Sequence, residues 1–399
     1  MNFEPAVSEL EPKLIEWRRH LHAHPEISFE ETETTAYIAK ALKTMGVDAV
    51  DRPTKTGLVA HIYGTKPGTP AVVGVRADID ALPMPEHSDL PYRSTVENVM
   101  HACGHDGHTA MLLGLAKLLN EKKDSFCGEA RLIFQHAEEL PPGGAIEMLR
   151  AGVVDGVDAM LGLHLSSNFD TGVFGVKSGV LTANVDRFDV RVIGKGGHCA
   201  FPEQCSDPVL AASETVLALQ SIVSRRIAAS EPAVVSVCEM HGGTAYNIIP
   251  NEVKLTASVR SFGETTRQLI EREANNICQS VAAAHNCSAD FVWESGYPSV
   301  ANDGRMTQIA AERIKARFGA DRIERIGCIM PGEDYSYFLD GRPGFFVELG
   351  TRNANKLTDR PHHNPNYRLD EDALKIGLQY ELDMVQWLLN GEKPWEKDA

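Results

Sequence analysis

The sequence has few of the features that mark a nucleic-acid-binding, membrane-spanning or disulfide-stabilised protein. Lys and Arg number 39 against 55 Asp and Glu, and the resulting net charge of -16 repels nucleic acid and anionic lipid. No apolar run approaches the roughly 20 residues of a membrane span, and the N-terminus lacks the basic start and apolar stretch of a signal peptide. The eight cysteines form no CxxC pair, which is typical of reduced thiols. We therefore expect a cytoplasmic protein whose partner is a small molecule, and neither a nucleic acid nor a membrane.

Strand-like and helix-like segments alternate in the first part of the chain, which predicts an α/β fold with a mostly parallel, twisted sheet flanked by helices. Three apolar segments, "AVVGV", "ARLIF" and "AMLGL", are followed by "RADID", "QHAEE" and His164 respectively. In an open α/β sheet the ligand crevice lies beyond the carboxyl ends of the strands. We therefore expect these acidic and imidazole groups to converge at one edge of the sheet.

The order of the predicted elements changes at about residue 182. From there it reads strand, helix, strand, strand, helix, strand, which is the split βαβ or ferredoxin-like arrangement. The segment is long enough for a small domain, and the first pattern resumes after it. The sequence thus predicts a discontinuous α/β domain of residues 1–181 and 295–399, and an inserted βαββαβ domain of residues 182–294.

The stretch "NVMHACGHDGHTAML" places Cys103 and His105 just before an apolar helical segment, residues 109–119. The positive end of the helix dipole favours a thiolate at Cys103. These two residues alone cannot complete a four-ligand metal site, so other parts of the chain have to supply donors.

Six residues with metal-binding side chains fall at predicted loops or strand ends: Cys103, His105, Glu138, Glu139, His164 and His363. One thiolate, three imidazoles and a carboxylate, with a second carboxylate to spare, exceed the needs of one tetrahedral ion. They suit two ions that share a bridging ligand. The alternative is a set of unrelated loop residues, but the combination of soft and borderline donors favours a metal site.

A second group of histidines, His20, His22 and His24, lies in the first predicted helix. Residues two apart on a helix point about 200° away from each other, so these rings cannot converge on one ion. We expect them to lie at the surface or to cap the helix.

Five motifs, taken in order, resemble the aminoacylase and carboxypeptidase family of dinuclear metal amidohydrolases: "MHACGHDGH", "FQHAEE", "GLHL", "GKGGHCAFP" and "HHNPNYRLDED". The resemblance extends from "RRHLHAHPE", near residue 18, to about residue 372. The branch most similar in pattern includes hippurate hydrolases, N-acyl-amino-acid amidohydrolases and hydrolases of auxin conjugates. The chain departs from many relatives at Leu140-Pro141-Pro142, where they have a glycine-rich turn, and at Glu203, where they have a histidine after Pro202.

The resemblance implies a role for each of ten residues. The metal ligands would be Cys103, His105, Glu139, His164 and His363, and Glu138 would be the general base. Asp80 would support the metal site. The inserted domain would be a lid that forms a homodimer or higher homo-oligomer, in which His198 reaches the neighbouring subunit's active site. Asn247 and Arg260 resemble residues that hold a substrate carboxylate.

The implied activity is the hydrolysis of N-acyl-L-amino acids by two divalent ions per chain, with Mn, Zn, Co and Ni as candidates. Water activated by the ions attacks the amide carbonyl, and Glu138 accepts its proton. Two alternatives remain: a dipeptidase or carboxypeptidase of the same chemistry, and a catalytically silent binding protein of the same fold. The presence of Glu138 beside a full set of ligands argues against the silent protein.

Overall fold

The computed structural model describes residues 4–391 and residue 393. The α-helices in this part of the chain are α1 Glu4–Ala23, α2 Thr32–Met45, α3 His105–Glu121, α4 Gly144–Arg150, α5 Pro208–Ser221, α6 Glu264–Ala284, α7 Gly304–Phe318 and α8 Asp372–Asn390. None of them is long and apolar enough to cross a lipid bilayer.

The β-strands of the same residues are numbered in chain order. They are β1 Ala49–Asp51, β2 Leu58–Thr65, β3 Val72–Asp78, β4 Cys127–Gln135, β5 Ala159–Asp170, β6 Phe174–Val176, β7 Gly179–Val180, β8 Asn184–Ile193, β9 Gly197–His198, β10 Val234–Gly242, β11 Ile248–Ile249, β12 Glu252–Ser261, β13 Ser288–Ser295, β14 Ala301–Asn302, β15 Ile323–Arg325 and β16 Gly344–Arg352.

The chain divides into two compact units. Within the described residues, the first runs to Leu181, includes Val300–Gly327 and resumes at Asp334, and the second comprises Thr182–Ser299 and Cys328–Glu333. The second unit is therefore larger than the predicted 182–294. Ser299 belongs to it because its backbone N–H donates to Asn184 Oδ1 at 2.8 Å, and Cys328–Glu333 joins it through a bridge between Thr182 and Ile329.

The first unit is built on an eight-stranded sheet in the order β1-β2-β4-β3-β5-β16-β6-β15. The four central strands, from β4 to β16, run parallel to one another, and this confirms the predicted α/β class. The sheet also contains antiparallel pairs on both sides of this centre, in which β2 pairs with β1 and β4, and β6 pairs with β16. Helix α3, which is buried along almost its whole length, makes the crossover from β3 to β4.

Two predicted boundaries near the functional residues were wrong. Strand β5 does not end before His164 but continues to Asp170, because its ladder with β16 pairs His164 with Glu348 and Leu165 with Leu349. Helix α3 begins at His105, four residues before the predicted start. His105 therefore lies in the first turn of the helix, and His164 lies inside a strand.

The second unit contains a four-stranded antiparallel sheet in the order β10-β12-β8-β13. Along the chain its main elements are β8, α5, β10, β12, α6 and β13, the strand and helix order expected from the sequence. Apolar side chains of the two helices and the sheet form one buried cluster that includes Phe188, Val190, Val259, Ile270 and Cys278.

The histidines of α1 include one whose environment the sequence did not predict. His22 is buried, with Nδ1 2.8 Å from Asp106 Oδ2 and Nε2 3.3 Å from Glu86 Oε1. Arg18 Nε lies 2.8 Å from the same Asp106 oxygen. The expected surface or capping role is therefore wrong for His22, because its ring belongs to a buried charge network that ties α1 to the first turn of α3.

Glu381 of α8 provides a test of the core. Burial raises the pKa of its carboxyl from about 4.5, its usual value, to about 8. The folded state therefore holds a proton that the unfolded state releases, and the stability due to this protonation is lost as the pH rises from about 4.5 to about 8. Glu381→Gln, which cannot ionise, should raise the free energy of unfolding at about pH 8 by about 1–3 kcal/mol. Its effect at about pH 5 should be smaller.

Denaturant unfolding of both proteins across this pH range measures the difference. Glu324→Gln, at an exposed position of β15, is the matched control and should leave the profile unchanged. Parallel profiles for wild type and Glu381→Gln would show that Glu381 is ionised in the folded protein.

Candidate metal centre

The Cys-His motif changes direction at Gly104. This residue has a φ of 95°, a left-handed conformation that glycine adopts without the steric penalty of a side chain. A Cβ at this position would lie 3.2 Å from Tyr367 Oη, which is a tight contact. Gly104 thus separates Cys103, in the preceding loop, from His105, in the first turn of α3.

Two groups of donor atoms meet at Cys103. One consists of Cys103, His105 and Glu139, the other of Cys103, His164 and His362, and within each group the donor atoms lie within 4.8 Å of one another. Cys103 Sγ is 3.5 Å from His164 Nε2. Because the thiol belongs to both groups, Cys103 would be the residue shared by two metal ions if two were bound.

The remaining predicted residues of this centre lie at its margin. His363 Nε2 is 3.1 Å from Glu139 Oε1, so His363 borders the group that contains His105. Glu138 is buried, and its carboxylate lies within 4.8 Å of the Asp334 carboxylate. The structure therefore brings together five of the residues that the sequence singled out, Cys103, His105, Glu139, His164 and His363, and adds His362, for which the only signal was the doubled histidine of "HHNPNY".

His105 and His164, which belong to the two donor groups around Cys103, are each held through Nδ1, so that Nε2 is the nitrogen on the side of the other donor atoms. His105 Nδ1 donates to the backbone oxygen of Asp80 at 3.0 Å and to its Oδ1 at 3.2 Å. His164 Nδ1 donates to the backbone oxygen of Leu165 at 2.8 Å. His105 Nε2 is buried without a hydrogen-bond partner among the described residues. An oriented ring whose second nitrogen lacks a partner is the arrangement found for metal-binding histidines.

The charges around this cluster favour a cation. Burial alone lowers the pKa of an imidazole, but the carboxylates of Asp78 and Asp80 outweigh it and raise the pKa of His105 to about 10. The acidic surroundings thus favour a positive charge at Nε2, and a metal ion would take the place of that proton. The donor set and its charge therefore fit divalent metal ions.

The thiol of Cys103 differs from the sequence-based expectation. Burial, followed by the carboxylates of Glu139 and Glu138, raises the pKa of this thiol well above its usual value. The helix dipole, which contributes about 0.3–1 kcal/mol in favour of a thiolate, is therefore outweighed by burial and by these carboxylates. A divalent cation among these carboxylates would offset their charge and reverse the effect.

Asp80 connects several parts of the centre. Its Oδ2 accepts hydrogen bonds from the backbone N–H of Glu139 at 3.0 Å and from Ser28 Oγ at 2.7 Å. Its Oδ1 is the oxygen that faces His105 Nδ1. Asp80 thus orients one donor through its ring and another through its backbone.

His108 lies close to the cluster but has both ring nitrogens engaged. Its Nδ1 donates to Asp78 Oδ1 at 2.6 Å, and its Nε2 accepts from the backbone N–H of Leu165 at 2.8 Å. The other carboxylate oxygen of Asp78, Oδ2, accepts a hydrogen bond from Arg76 Nη1 at 2.7 Å. His108 therefore supports the centre by packing and hydrogen bonding, without a nitrogen free for an ion.

Arg76 also reaches Asp334, whose part in the centre was not apparent from the sequence. Arg76 Nη2 is 2.9 Å from Asp334 Oδ1, and Gln135 Nε2 is 2.8 Å from the same oxygen. The backbone N–H of Ala145 donates to Asp334 Oδ2 at 3.0 Å. Asp334 thus joins the carboxyl ends of β3 and β4 to the start of α4.

Three further predicted residues lie in the second unit. His198 is exposed on β9, where its Nδ1 accepts from the backbone N–H of Ala200 at 3.1 Å, and it pairs with Ile248 of β11. Asn247 immediately precedes β11. Arg260 is half-buried on β12, and its Nη1 donates to Ser258 Oγ at 3.0 Å and to the backbone oxygen of Val259 at 2.9 Å. Their roles in binding or catalysis stay predictions.

The fold and the centre together define a class of protein, an α/β protein with a cluster of thiol, imidazole and carboxylate donors suited to metal ions. Residues 74–387 match the model of peptidase family M20/M25/M40. The chain therefore belongs to this family.

Relatives are similar over most of the chain. An N-acetylcysteine deacetylase from Bacillus subtilis is 42% identical over 374 residues, which cover 94% of this chain and 96% of that protein. An N-acyl-L-amino acid amidohydrolase from Geobacillus stearothermophilus is 46% identical over 74% of this chain and 80% of that protein. The crystal structure of a dinuclear metal-binding M20 peptidase from Bacillus subtilis matches with a TM-score of 0.83 at 36% identity, covering 96% of this chain and 99% of that one.

The neighbouring histidines His362 and His363 can be distinguished by metal content. His362 Nε2 accepts from the backbone N–H of Ser167 at 3.3 Å, which leaves the proton of the neutral ring on Nδ1, the nitrogen 3.9 Å from Cys103 Sγ. A protonated nitrogen cannot bind a metal, so we expect His362 to donate a hydrogen bond to the thiolate and His363 to be the ligand. His363→Ala should therefore lose about one of two ions per chain, whereas His362→Ala should retain both.

Elemental analysis after dialysis against trace Mn²⁺ measures this difference. His61→Ala, on β2, changes a histidine that is paired with Glu129 and serves as the control. Loss of an ion from His362→Ala with retention in His363→Ala would assign the ligand to His362 instead.

Proposed function

We propose that the protein hydrolyses the amide bond of N-acyl-L-amino acids, hippurate-like or N-acetylated, to a carboxylic acid and a free amino acid. The observation that carries this proposal is the position of Glu138, a buried carboxylate that precedes Glu139 in the chain and whose charge acts on the Cys103 thiol. The names of the relatives from Bacillus subtilis and Geobacillus stearothermophilus support the same substrate class.

Two divalent ions would be held by Cys103, His105, Glu139, His164 and His363. Mn²⁺, Zn²⁺, Co²⁺ and Ni²⁺ all accept a mixture of thiolate, imidazole and carboxylate donors. When bound, such ions polarise a carbonyl group and lower the pKa of water.

The residues of the chain account for the proton transfers of amide hydrolysis. Glu138 accepts a proton from the attacking water while the new C–O bond forms, and delivers it to the amine nitrogen as the C–N bond breaks. Asp80 keeps His105 in one orientation throughout, since it accepts from His105 Nδ1 and is itself held by Ser28. Glu139, whose backbone is bonded to the same aspartate, stays oriented as a donor.

Two other functions remain as alternatives. A dipeptidase or carboxypeptidase would use the same residues on a peptide bond, and a silent binding protein would keep the fold without turnover. A substrate panel of hippurate, N-acetyl amino acids and simple dipeptides separates these possibilities. Turnover of dipeptides alone would favour the peptidase, and no turnover in the fully loaded protein would favour the silent one.

The adjacent glutamates should have separable roles. Glu138→Gln removes the base but keeps the shape, so turnover of the best substrate should fall by a factor of roughly 10² or more while metal content stays normal. Glu139→Gln should lower metal content, because an amide is a weaker ligand than a carboxylate. Steady-state kinetics combined with elemental analysis distinguishes the two, and the opposite pattern would exchange the roles.

We further propose that the second unit forms a homodimer. Strand β10 lies at one edge of the four-stranded sheet, where it presents Val234 and Met240 to solvent. Helix α5 exposes Leu210 and Leu217 on the face away from its own core, and Leu217 is 74% exposed. An unpaired strand edge beside exposed apolar side chains favours association with a second copy.

In this dimer, His198 would enter the partner's active site and stabilise the oxyanion that forms at the carbonyl. Exposure of His198 on the short β9–β11 pair supports an outward role. Asn247 and Arg260 would contribute to binding the substrate carboxylate, for which a guanidinium is a bidentate partner. A cytoplasmic location is part of the same proposal and is supported by the eight free cysteines.

Mixing of subunits tests the action of His198 in trans. His198→Ala and Glu138→Ala chains should each be inactive alone, but a mixed dimer has one site with Glu138 from its own chain and His198 from the partner. Random assembly makes about half of the dimers mixed, so activity should recover to about a quarter of wild type. Mixed dimers, isolated with two affinity tags, that remain inactive would contradict the proposal.

A further inference from the structure

The segment between β4 and the paired glutamates contains an unusual backbone conformation. Ala137, directly before Glu138 and Glu139, has a φ of 49°. A residue with a Cβ pays a steric cost of roughly 1–2 kcal/mol in this left-handed region. Successive side chains of an extended strand point to opposite sides, so the turn at Ala137 changes the directions in which the two glutamates leave the sheet.

Several contacts hold this turn in place. The backbone oxygen of Ala137 accepts from the N–H of Gly144 at 2.9 Å, and Gly144 approaches so closely that a Cβ there would lie 1.9 Å from the backbone oxygen of His136. The N–H of Glu139 is held by Asp80, as described above. The N–H of Ala137 itself donates to Glu31 Oε1 at 2.8 Å.

Glu31 is well suited to hold a backbone group in a fixed position. Its side chain is fully buried, and it lies at the N-terminal boundary of α2, far from Ala137 in the sequence. Its backbone oxygen accepts from the N–H and the hydroxyl of Thr35, at 3.0 and 2.6 Å, which anchors the residue. Burial, followed by the charge of Asp80, raises the pKa of the Glu31 carboxyl to about 7. Such an unfavourable place for a carboxyl group calls for a specific contact that offsets the cost.

We propose that Glu31 is a positioning residue of the active site, whose carboxyl oxygen holds the Ala137 N–H and thereby sets the directions of Glu138 and Glu139. The proposal rests on the proposed function of those two glutamates. Glu31 acts through the backbone, by hydrogen-bond acceptance, and its negative charge is not required.

A merely structural role would be to stabilise the start of α2. Glu26 serves as a matched control for that role, because its carboxylate accepts from the backbone N–H groups of Glu33 at 3.1 Å and Thr34 at 2.8 Å. These bonds stabilise the same helix terminus. Among the hydrogen bonds of the described residues, those of the Glu26 side chain do not reach the turn at Ala137.

Three substitutions at Glu31 distinguish the effects of its hydrogen-bond acceptor, its negative charge and its side-chain volume. Glu31→Gln keeps an oxygen that can accept from Ala137 N–H. Glu31→Met fills the buried volume without an acceptor, and Glu31→Asp keeps the acid on a side chain one methylene shorter. Each is compared with wild type and Glu26→Ala by Mn²⁺ titration calorimetry, by kcat and KM, and by thermal unfolding of metal-free protein.

We expect Glu31→Met and Glu31→Asp to weaken the binding of one of two Mn²⁺ ions by about 10-fold or more, the size seen when a supporting contact of a ligand is removed. Their kcat should fall by about 10-fold with little change in KM, because Glu138 is misdirected while the substrate contacts remain. Glu31→Gln should stay within about 3-fold of wild type in both measurements. Glu26→Ala should lower the unfolding temperature only.

Three results would overturn the proposal. Wild-type Mn²⁺ affinity and kcat in Glu31→Asp would show that the contact is dispensable, and this variant decides the matter if Glu31→Met does not fold. Equal losses in Glu31→Gln and Glu31→Met would show that charge is what matters. Equal losses in Glu26→Ala would assign the effect to the helix. Because Mn²⁺ affinity is measured without substrate, a failure of the proposed activity would leave this comparison intact.

Discussion

The buried carboxylate of Asp80 is the contact on which the geometry of the centre depends. It accepts hydrogen bonds from Ser28, from the ring of His105 and from the backbone of Glu139, which come from three separate parts of the chain. With both oxygens engaged, the carboxylate cannot shift toward one partner without weakening its bond to another. The same side chain therefore fixes a ring and a peptide group that the sequence separates by 34 positions.

The acidity of this region explains why a cation belongs there. The carboxylates of Asp78 and Asp80 outweigh burial and raise the pKa of His105, whereas burial, followed by the carboxylates of Glu139 and Glu138, raises the pKa of the Cys103 thiol. Arg76 balances part of the charge of Asp78 and Asp334, to both of which it donates hydrogen bonds. The negative charge of the remaining carboxylates has no such partner in Arg76, and divalent ions bound by the donor atoms would balance it.

Short-range patterns were enough to predict much of this molecule. Alternating strand and helix segments indicated the α/β class, and the donors Cys103, His105, Glu139 and His164 were recognisable because thiol, imidazole and carboxylate groups follow apolar segments. Boundaries were less predictable. His164 lies within β5 because the ladder to β16 extends the strand, and that pairing joins residues more than 180 positions apart. The roles of His22 and Asp334 were hidden for the same reason, since their partners come from distant segments.

The sequence by itself determined the class of fold, the kind of donors and their order along the chain, because periodicity and residue chemistry are local properties. Only the tertiary structure decided which donors share Cys103, which nitrogen of each ring faces the centre, and how the two glutamates diverge. The backbone at Ala137 shows why. An alanine has no intrinsic preference for a φ of 49°. The hydrogen bonds that hold it there come from Glu31, which precedes Ala137 in the sequence by more than a hundred residues, and from Gly144, which follows it.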